Sequence, residues 1–344
     1  MEHECAGERV SEILANIRQQ PAVLKAVADY AQDDRDHALA DAVDLLRSRS
    51  RVVFVGIGGS RYASLPGALY FSNAGVDARV IDASEALYYE RIPPDSAVIL
   101  VSRSGRTAEM VRLAKQMTQS EIPYITVTNE PTSPIAAGAR SVVRVAGATD
   151  QGVSIRTYTA AVLTLLYLGA KTVDKADLLD AQVREMLSKL GSMIAVWEAE
   201  QVNLGASKYF FFLGRGYSLA TAFESSLLFQ ELARRPAAAC IAAEFRQGPI
   251  EVLGPEHTVF VFAPEGRTWD LGIALVNELR ATPAHIVEIG PSWPGLPEHL
   301  AAITQIIPLQ FAAYRLAVQS QGRPGHFRYA APTTEEEPGL PRRP

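Results

Sequence analysis

The chain has 344 residues, of which 48% are hydrophobic and 21% are charged, and its formal net charge is −5. This length exceeds one average domain and suggests two of roughly 150 residues each, with enough apolar residues for sizeable cores. The mild negative charge argues against general nucleic-acid binding, which favours a basic face.

The first 48 residues carry a helical pattern. Apolar residues recur at helical spacing in two stretches, at positions 10, 13, 14 and 17 and at positions 39, 43, 45 and 46. Proline suits the first turn of a helix, so Pro21 is expected to open a second helix rather than to break one.

Short apolar strands then alternate with helices. Residues 52–56 form a continuous apolar run that ends in glycine, which is typical of a parallel strand buried on both faces. Further strands are predicted at 80–82, 97–101, 124–128 and 141–145, with helices at 62–71 and from the loop at 102–107 through residue 115. The alternation indicates right-handed βαβ crossovers and a parallel sheet.

The same order restarts after long helices predicted over residues 155–200. A strand at 209–213, a glycine turn at 214–216 and a helix at 220–234 repeat the order that begins at residue 52. Further strands are predicted at 259–262, 285–289 and 303–307. The chain is therefore expected to be an α/β protein of two doubly wound halves, related by a weak internal duplication.

These patterns divide the chain into four parts. We assign N-terminal helices to 1–48, a first domain to 49–195, a second domain to 196–332 and a flexible tail to 333–344. The tail is charged and proline-rich, which is typical of a segment that is disordered at its end.

Cysteine content and terminal composition indicate the cellular compartment. Cys5 and Cys240 have no accompanying Cys/His cluster, so neither a zinc site nor a disulfide framework is predicted. The N-terminus is acidic and polar, which is not typical of a signal peptide. No run of about 18 apolar residues occurs, so no membrane span is expected. We therefore expect a cytoplasmic protein with two free thiols.

The loop Ser102-Arg-Ser-Gly-Arg-Thr107 lies between a buried strand and a helix. Ligands of open α/β sheets bind beyond the carboxyl ends of the strands, and the following helix N-terminus offers unpaired N–H groups to an anion. Three hydroxyls can donate to phosphate oxygens, Gly105 permits close backbone approach, and Arg103 and Arg106 add positive charge. The loop matches neither the GxGxxG pattern nor the Walker pattern of nucleotide-binding proteins. An ordinary N-capping loop is the alternative.

Two other loops are expected at the same edge of the sheet. Gly56-Ile-Gly-Gly-Ser60 also follows a strand, although glycine-rich turns are common there. Asp150-Gln-Gly-Val-Ser154 is a candidate third wall, and a helix cap is an equally good interpretation of it.

Two glutamates mark the predicted helix at 220–234. Glu224 and Glu231 lie seven residues apart and hence on similar faces, beside an apolar stretch at 227–229. A carboxylate against an apolar face can have a raised pKa and exchange protons near neutral pH. The alternative for Glu231, which spacing alone favours, is a solvated residue.

Together these stretches resemble the SIS (sugar isomerase) family over about residues 8–334. The most specific match is 102–107 with the SxSGxT phosphate loop of the family. Supporting matches are Gly58-Gly-Ser60, Ala83-Ser-Glu85, the stretches 128–134 and 153–159, Gly214-Arg-Gly216, Glu224, Glu231 and Glu244-Phe-Arg-Gln-Gly-Pro249. The chain is similar in particular to the isomerase half of glucosamine-6-phosphate synthase and to stand-alone amino-sugar-phosphate deaminases, ketose/aldose isomerases and deglycases.

The resemblance implies a fold and a set of site residues. The fold would be two flavodoxin-like, three-layer αβα subdomains with doubly wound parallel sheets. The substrate phosphate would be held by Ser60, Ser102, Arg103, Ser104 and Thr107, with Gly58, Gly59 and Ser154 also binding the substrate. Glu231 would move a proton between C1 and C2 of the opened sugar, without a metal or an organic cofactor.

Two positions depart from the family pattern. Gln247 stands where the synthase has a histidine that helps to open the sugar ring, and an amide cannot exchange a proton near neutral pH. No lysine follows Lys208, so the Schiff base that a tail lysine of the family can form is excluded. His326 is the nearby imidazole that could substitute, although a surface histidine is the simpler interpretation. Glu231, Gln247 and His326 are therefore the candidate catalytic residues.

Two functions follow as hypotheses. The first is an enzyme that isomerises a hexose or aminohexose 6-phosphate through an enediol or enolamine, with loss of ammonia where the substrate carries a 2-amino group. The second is a non-catalytic phosphosugar-binding regulator, which the two departures favour and Glu231 disfavours. Nucleotide binding is a third and weaker hypothesis. Glu2 is not a nucleophilic cysteine and no glutaminase domain precedes residue 8, which argues against glutamine-dependent amide transfer.

The resemblance also implies partners. A homodimer is expected, in which the turn at 244–249 reaches into the neighbouring subunit's site. The predicted ligand is a small sugar phosphate, and neither a nucleic acid nor a membrane is expected as a partner.

Overall fold

The computed structural model describes residues 12–33, 37–200, 202, 204, 207–320, 324–329, 331 and 333–336. Cys5 and residues 337–344 of the predicted tail lie outside these ranges. Helices α1 (12–18), α2 (Gln20–Asp33) and α3 (Ala38–Arg47) come first. Pro21 lies in the first turn of α2, as predicted, where its missing N–H leaves no helical hydrogen bond unmade.

The first sheet contains five parallel strands in the order β2-β1-β3-β4-β5. They are β1 (Arg51–Gly56), β2 (Asp77–Asp82), β3 (Ser96–Val101), β4 (Tyr124–Thr128) and β5 (Ser141–Arg144). The connecting helices are α4 (Gly59–Asn73), α5 (Ala83–Tyr88) and α6 (Ala108–Gln119). In this doubly wound order the direction of winding reverses between β1 and β3, and the carboxyl ends of those two strands open a crevice.

Alternate residues of β1 show why the sheet has helices on both faces. Val52 and Phe54 pack into the large core with α4, while Val53 and Val55 pack into a second core with α5 and α6. The strand is apolar at every one of these positions because neither face of it meets water. The predicted α/β fold of three-layer, doubly wound halves is confirmed.

Two long helices join the halves, α7 (Arg156–Thr172) and α8 (Ala176–Ala199). The second sheet contains four parallel strands in the order β7-β6-β8-β9. They are β6 (Tyr209–Gly214), β7 (Ala237–Ile241), β8 (His257–Phe262) and β9 (His285–Ile289). Helices α9 (Ser218–Glu231) and α10 (Trp269–Leu279) follow β6 and β8, and two short 3₁₀ helices cover Glu244–Gln247 and Pro249–Val252.

The strand predicted at 303–307 is wrong. This stretch lies in the helices α11 (Glu298–Thr304) and α12 (Ile306–Gln319), and Ile303, Ile306 and Ile307 are fully buried. A short apolar run does not distinguish a buried strand from a buried helix, because both present apolar residues on all sides.

The helical stretch Glu298–Gln319 is also long and apolar enough to cross a membrane, with a mean hydropathy of 1.2. No such stretch was predicted from the sequence. In the structure 72% of the 18-residue window with that hydropathy is buried inside the protein. A buried core helix of a globular protein has the same length and composition.

Candidate functional site

A cleft of about 320 Å³ lies at the carboxyl ends of β1 and β3. It brings together nine of the predicted site residues: Gly58, Gly59, Ser60, Ser102, Arg103, Ser104, Thr107, Ser154 and Glu231. These residues come from three loops of the first half and from helix α9 of the second half. The cleft is therefore shared between the halves.

The serine hydroxyls of the serine loop (residues 102–107) accept hydrogen bonds and keep their own hydrogens for a ligand. Ser102 Oγ accepts a hydrogen bond from Gly105 N at 3.1 Å, and Ser104 Oγ accepts one from Arg106 N at 3.3 Å. A hydroxyl that accepts still has its own hydrogen to donate. Thr107 is the N-cap residue of α6, but its side chain makes no capping hydrogen bond. The capping alternative thus does not account for Thr107.

Gly105 allows the loop to turn. Its φ is +61°, a conformation that side chains with a Cβ rarely adopt, and a Cβ there would overlap the Ser133 hydroxyl. The Arg103 carbonyl accepts hydrogen bonds from Asn129 N at 3.2 Å and Thr128 Oγ1 at 3.1 Å. These bonds tie the loop to the end of β4 and fix its shape before a ligand binds.

The glycine turn after β1 forms the opposite wall. Gly58 has a φ of +54°, and α4 begins directly after it at Gly59, with Ser60 in the first turn. Helices α4 and α6 therefore both begin at the cleft. The positive dipole ends of the two helices favour an anion between them, as do the N–H groups of their first turns other than that of Ala108, which donates to the Thr334 carbonyl.

A buried aspartate holds the third wall in place. Asp150 Oδ2 accepts hydrogen bonds from Ile155 N at 2.8 Å, Thr157 N at 2.9 Å and Thr157 Oγ1 at 2.6 Å. Arg156 Nε lies 3.3 Å from Asp150 Oδ1. Asp150 thus caps α7, and in doing so it shapes the loop that presents Ser154 to the cleft. The helix-cap and cleft-wall interpretations of this loop therefore both hold, since the same aspartate caps the helix and shapes the wall.

Arg103 links this wall to the serine loop. Its Nη1 donates to the Gly152 carbonyl at 2.7 Å, and its charge acts on Glu231. Arg106 is exposed and does not line the cleft. Of the two loop arginines, Arg103 therefore supplies the positive charge inside the cleft.

Glu231 is the last residue of α9 and is partly buried in the cleft wall. Burial raises the pKa of its carboxyl to about 7, while the Arg103 charge acts in the opposite direction. Burial is the larger effect, so Glu231 exchanges its proton near neutral pH. The solvated alternative does not fit this environment.

Gln247 and His326 do not line this cleft. Gln247 is exposed on the 3₁₀ helix Glu244–Gln247 of the second half. His326 is exposed beside an adjoining cavity of about 380 Å³, which meets the cleft at Gly152 and Phe327. The structure therefore does not bring either residue into the lining of the cleft beside Glu231.

The end of the second domain and the start of the tail supply residues that sequence reasoning missed. Phe327, Ala331, Thr333 and Thr334 all line the cleft. This part of the chain is held by a hydrogen bond from Ala108 N to the Thr334 carbonyl at 3.0 Å, and by one from Arg234 Nη2 to the His326 carbonyl at 2.5 Å. No local signal marks these residues, because a polar, proline-rich stretch has the composition of a linker.

The corresponding edge of the second sheet is filled by the chain itself. The Glu298 carboxylate lies between the loops after β6 and β8, where a Cβ on Gly216 would be 3.3 Å from Oε1 and one on Gly266 would be 2.6 Å from Oε2. An internal carboxylate therefore occupies the position where the first half offers its cleft.

Comparisons with known proteins agree with this architecture. The SIS domain family matches residues 45–170 and 204–295. A glutamine–fructose-6-phosphate aminotransferase (isomerizing) of Pyrococcus horikoshii is 28% identical over 94% of this chain and 58% of its own length. One of Thermococcus kodakarensis is 24% identical with the same coverage. The chain thus spans less than two thirds of the length of these relatives.

Solved structures share the fold. Glucosamine-6-phosphate deaminase of Thermotoga maritima superimposes with a TM-score of 0.81 at 19% identity, covering 93% of this chain and 98% of that one. The C-terminal domain of the glucosamine-fructose-6-phosphate aminotransferase of Francisella tularensis gives 0.75 at 17% identity, covering 89% and 95%. At these identities the likeness establishes the arrangement of the two sheets.

Proposed function

Because the chain belongs to the SIS domain family, we propose that it is a phosphosugar isomerase-type enzyme that acts on a hexose or aminohexose 6-phosphate. The observation that carries the proposal is that Glu231, with a pKa raised to about 7, faces the same cleft as the serine loop. A phosphate cradle and a base near its working pH are the two parts that such chemistry needs.

The phosphate end of the substrate would lie between the two helix N-termini. Ser60, Ser104 and Thr107 would donate hydroxyl hydrogens to its oxygens, and Gly58 and Gly59 would let it approach the backbone. The cleft volume of about 320 Å³ is in the range of small-ligand sites. A phosphorylated hexose is a ligand of that size class.

At the other end, Glu231 would take the proton from C2, and the C–H electron pair would become the C1–C2 double bond of an enediol or enolamine. The electron pair of the C1 carbonyl moves onto its oxygen, which gives the enediolate form, and exchange with water carries a proton from O2, or from N2, to O1. Return of the proton from Glu231 to C1 then leaves the new double bond at C2, which is a carbonyl in an isomerisation. With a 2-amino substrate, the product is an imine that water hydrolyses to a ketose and ammonia.

The experiment that tests this proposal is hydrogen exchange in D₂O. Fructose 6-phosphate, glucosamine 6-phosphate and related sugars are incubated with the protein, and the C1 and C2 hydrogens are followed by NMR. We expect deuterium to enter at these positions and the rate to rise as pH passes about 7, since Glu231 must be ionised to act. The product spectrum separates an isomerase from a deaminase.

The second candidate is a phosphosugar-binding regulatory protein. Its support is that Gln247 replaces a histidine of the family and that the chain has no lysine after Lys208. Tight binding of a hexose 6-phosphate with no deuterium at C1 or C2 across the whole panel would favour this candidate over the enzyme.

We also propose a homodimer in which Gln247 serves the partner's cleft. Gln247 is exposed and does not line the cleft of its own chain. The turn at 244–249 that carries it resembles the family segment that reaches into the neighbouring subunit's site.

Mixed dimers test this arrangement. We expect Glu231→Gln and Gln247→Ala each to lower exchange. Random mixing of the two should restore about a quarter of the sites, because half of the symmetric dimers become hybrids with one intact site. Failure of the mixture to recover exchange, although hybrids form by mass, would argue against a shared site.

A further inference from the structure

A second carboxyl lies behind the wall of the cleft. Glu224 precedes Glu231 by seven residues on α9, which places the two Cα atoms about 10 Å apart along the helix axis. Only 3% of Glu224 is exposed. The proton transfers of the proposed isomerisation do not use this residue.

One glycine separates this carboxyl from the cleft. A Cβ on Gly59 would lie 3.1 Å from Glu224 Oε2 and 3.5 Å from Oε1, and Gly59 itself lines the cleft. Within the part of the chain that the structure describes, Glu224 Oε2 is buried and has no hydrogen-bond partner. The carboxyl thus reaches the edge of the site without being tied to another group there.

The ionisable groups around Glu224 come from three helices. Glu231 lies on the same helix, and Tyr158 lies on α7 with a hydroxyl that is likewise buried without a partner in the described residues. The charge of Glu224 acts on the pKa of Tyr62 on α4, and so do the charges of Arg61, Asp82 and Glu231. Arg103 acts on Glu231 from the serine loop.

These surroundings disfavour a charge on Glu224. Burial, and after it the charge of Glu231, raise the pKa of Glu224 well above its usual value. A buried carboxylate without a hydrogen-bond donor is costly, so the group keeps its proton. When Glu231 ionises near neutral pH, the proton of the pair therefore stays on Glu224.

We infer that Glu224 is a positioning residue that sets the alkaline limit of the site, because it holds a proton behind Gly59 while Glu231 carries the negative charge. This inference rests on the proposed function. Glu231 is neutral once it has taken the substrate proton, so the negative charge then lies on the enediolate in the cleft. Ionisation of Glu224 at higher pH places a second negative charge behind Gly59, which lines that cleft. Repulsion between the Glu224 carboxylate and the enediolate raises the energy of the intermediate, so exchange slows.

The pH profile of deuterium exchange tests the inference. Wild type should give a bell-shaped curve whose acid limb belongs to Glu231 and whose alkaline limb belongs to Glu224. Glu224→Gln, which is permanently neutral and of the same shape, should keep the acid limb and lose the alkaline limb. Tyr158→Phe, the matched control at the neighbouring buried group, should keep both limbs.

Two results would overturn it. An alkaline limb that persists in Glu224→Gln would assign that limb to another group. An acid limb that moves down by about one pH unit or more would show that Glu224 is ionised in the wild type, since removal of a neighbouring negative charge lowers the pKa of Glu231. If Glu224→Gln does not fold, Glu224→Met offers the same comparison with an apolar side chain of similar length.

The charge state is measured separately without turnover. At a pH well above 7, where Glu231 is ionised, the infrared C=O stretch of a neutral carboxylic acid should be present in wild type and in Glu231→Gln and absent in Glu224→Gln. Absence of that band from wild type would refute the inference. If no sugar phosphate exchanges at any pH, the proposed function fails, while the band still decides whether Glu224 holds a proton.

Discussion

Glu231→Gln is expected to lower the rate of C1/C2 hydrogen exchange by about 10²–10⁴-fold, which is the usual contribution of one general acid–base group. The amide has the shape of the carboxyl but cannot take a proton. Binding of the sugar phosphate should change little, because in the proposed site the phosphate is held by the serine loop and not by Glu231. Exchange is measured by NMR in D₂O, and binding by calorimetry.

The loss should not come from unfolding. The folded-state pKa of Glu231 is about 7, above the usual value of 4.5. The folded state therefore retains a proton that the unfolded state has released, and this contribution to stability is lost as pH rises from about 4.5 through 7. Gln has no such penalty, so above pH 7 the variant should resist urea at least as well as wild type.

A surface carboxylate provides the matched control for this substitution. Glu185→Gln changes an exposed residue that pairs with Lys189 on α8 and does not line the cleft. It should leave exchange as in wild type. Retention of wild-type exchange in Glu231→Gln would remove Glu231 from the mechanism.

The double variant Ser104→Ala/Thr107→Ala is expected to weaken hexose 6-phosphate binding by roughly 10²–10⁴-fold. Each hydrogen bond to a charged group contributes about 1.5–3 kcal/mol, and about 1.4 kcal/mol corresponds to a factor of ten. The fold should persist, because the Thr107 side chain makes no capping hydrogen bond and Ser104 lies in a loop. Calorimetric titration gives the affinity directly.

Two comparisons make this result specific. Thr118→Ala/Ser120→Ala removes the same kinds of hydroxyl from exposed positions at the other end of the α6 segment, and should bind like wild type. The hexose without its phosphate should bind weakly to both double variants and to wild type alike. Equal affinity of wild type and Ser104→Ala/Thr107→Ala for the phosphorylated sugar would show that the phosphate lies elsewhere.

Apolar runs predicted most of the sheet. Residues 52–56 of β1 and all of β3 and β4 are buried, so apolar, small or hydroxyl-bearing residues occupy these positions, and that pattern is visible in the sequence. Strand β7 (Ala237–Ile241) was not predicted, because an alanine-rich edge strand lacks the β-branched and aromatic residues that mark strands. The strand predicted at 303–307 was wrong for the opposite reason, since this helical stretch is as apolar as a buried strand.

The site was predictable where its residues are neighbours along the chain. The serine loop combines hydroxyls, a glycine and a helix start within six residues of sequence, and those local features survive folding unchanged. The three-way anchoring of the 150–157 wall on Asp150 and the tail crossing at Thr334 depend on contacts between distant segments. Composition carries no signal for such contacts.

Local sequence was thus sufficient for the doubly wound halves and for the phosphate-type loop, because strand burial and helix N-termini depend on residues close together in the chain. Two features needed the folded chain. One is the charge state of Glu231 and Glu224, which depends on what buries each carboxyl. The other is which of the two halves keeps its cleft, since Glu298 fills the second one from a helix more than 80 residues beyond Gly216. Burial and long-range contacts arise only when the whole chain packs.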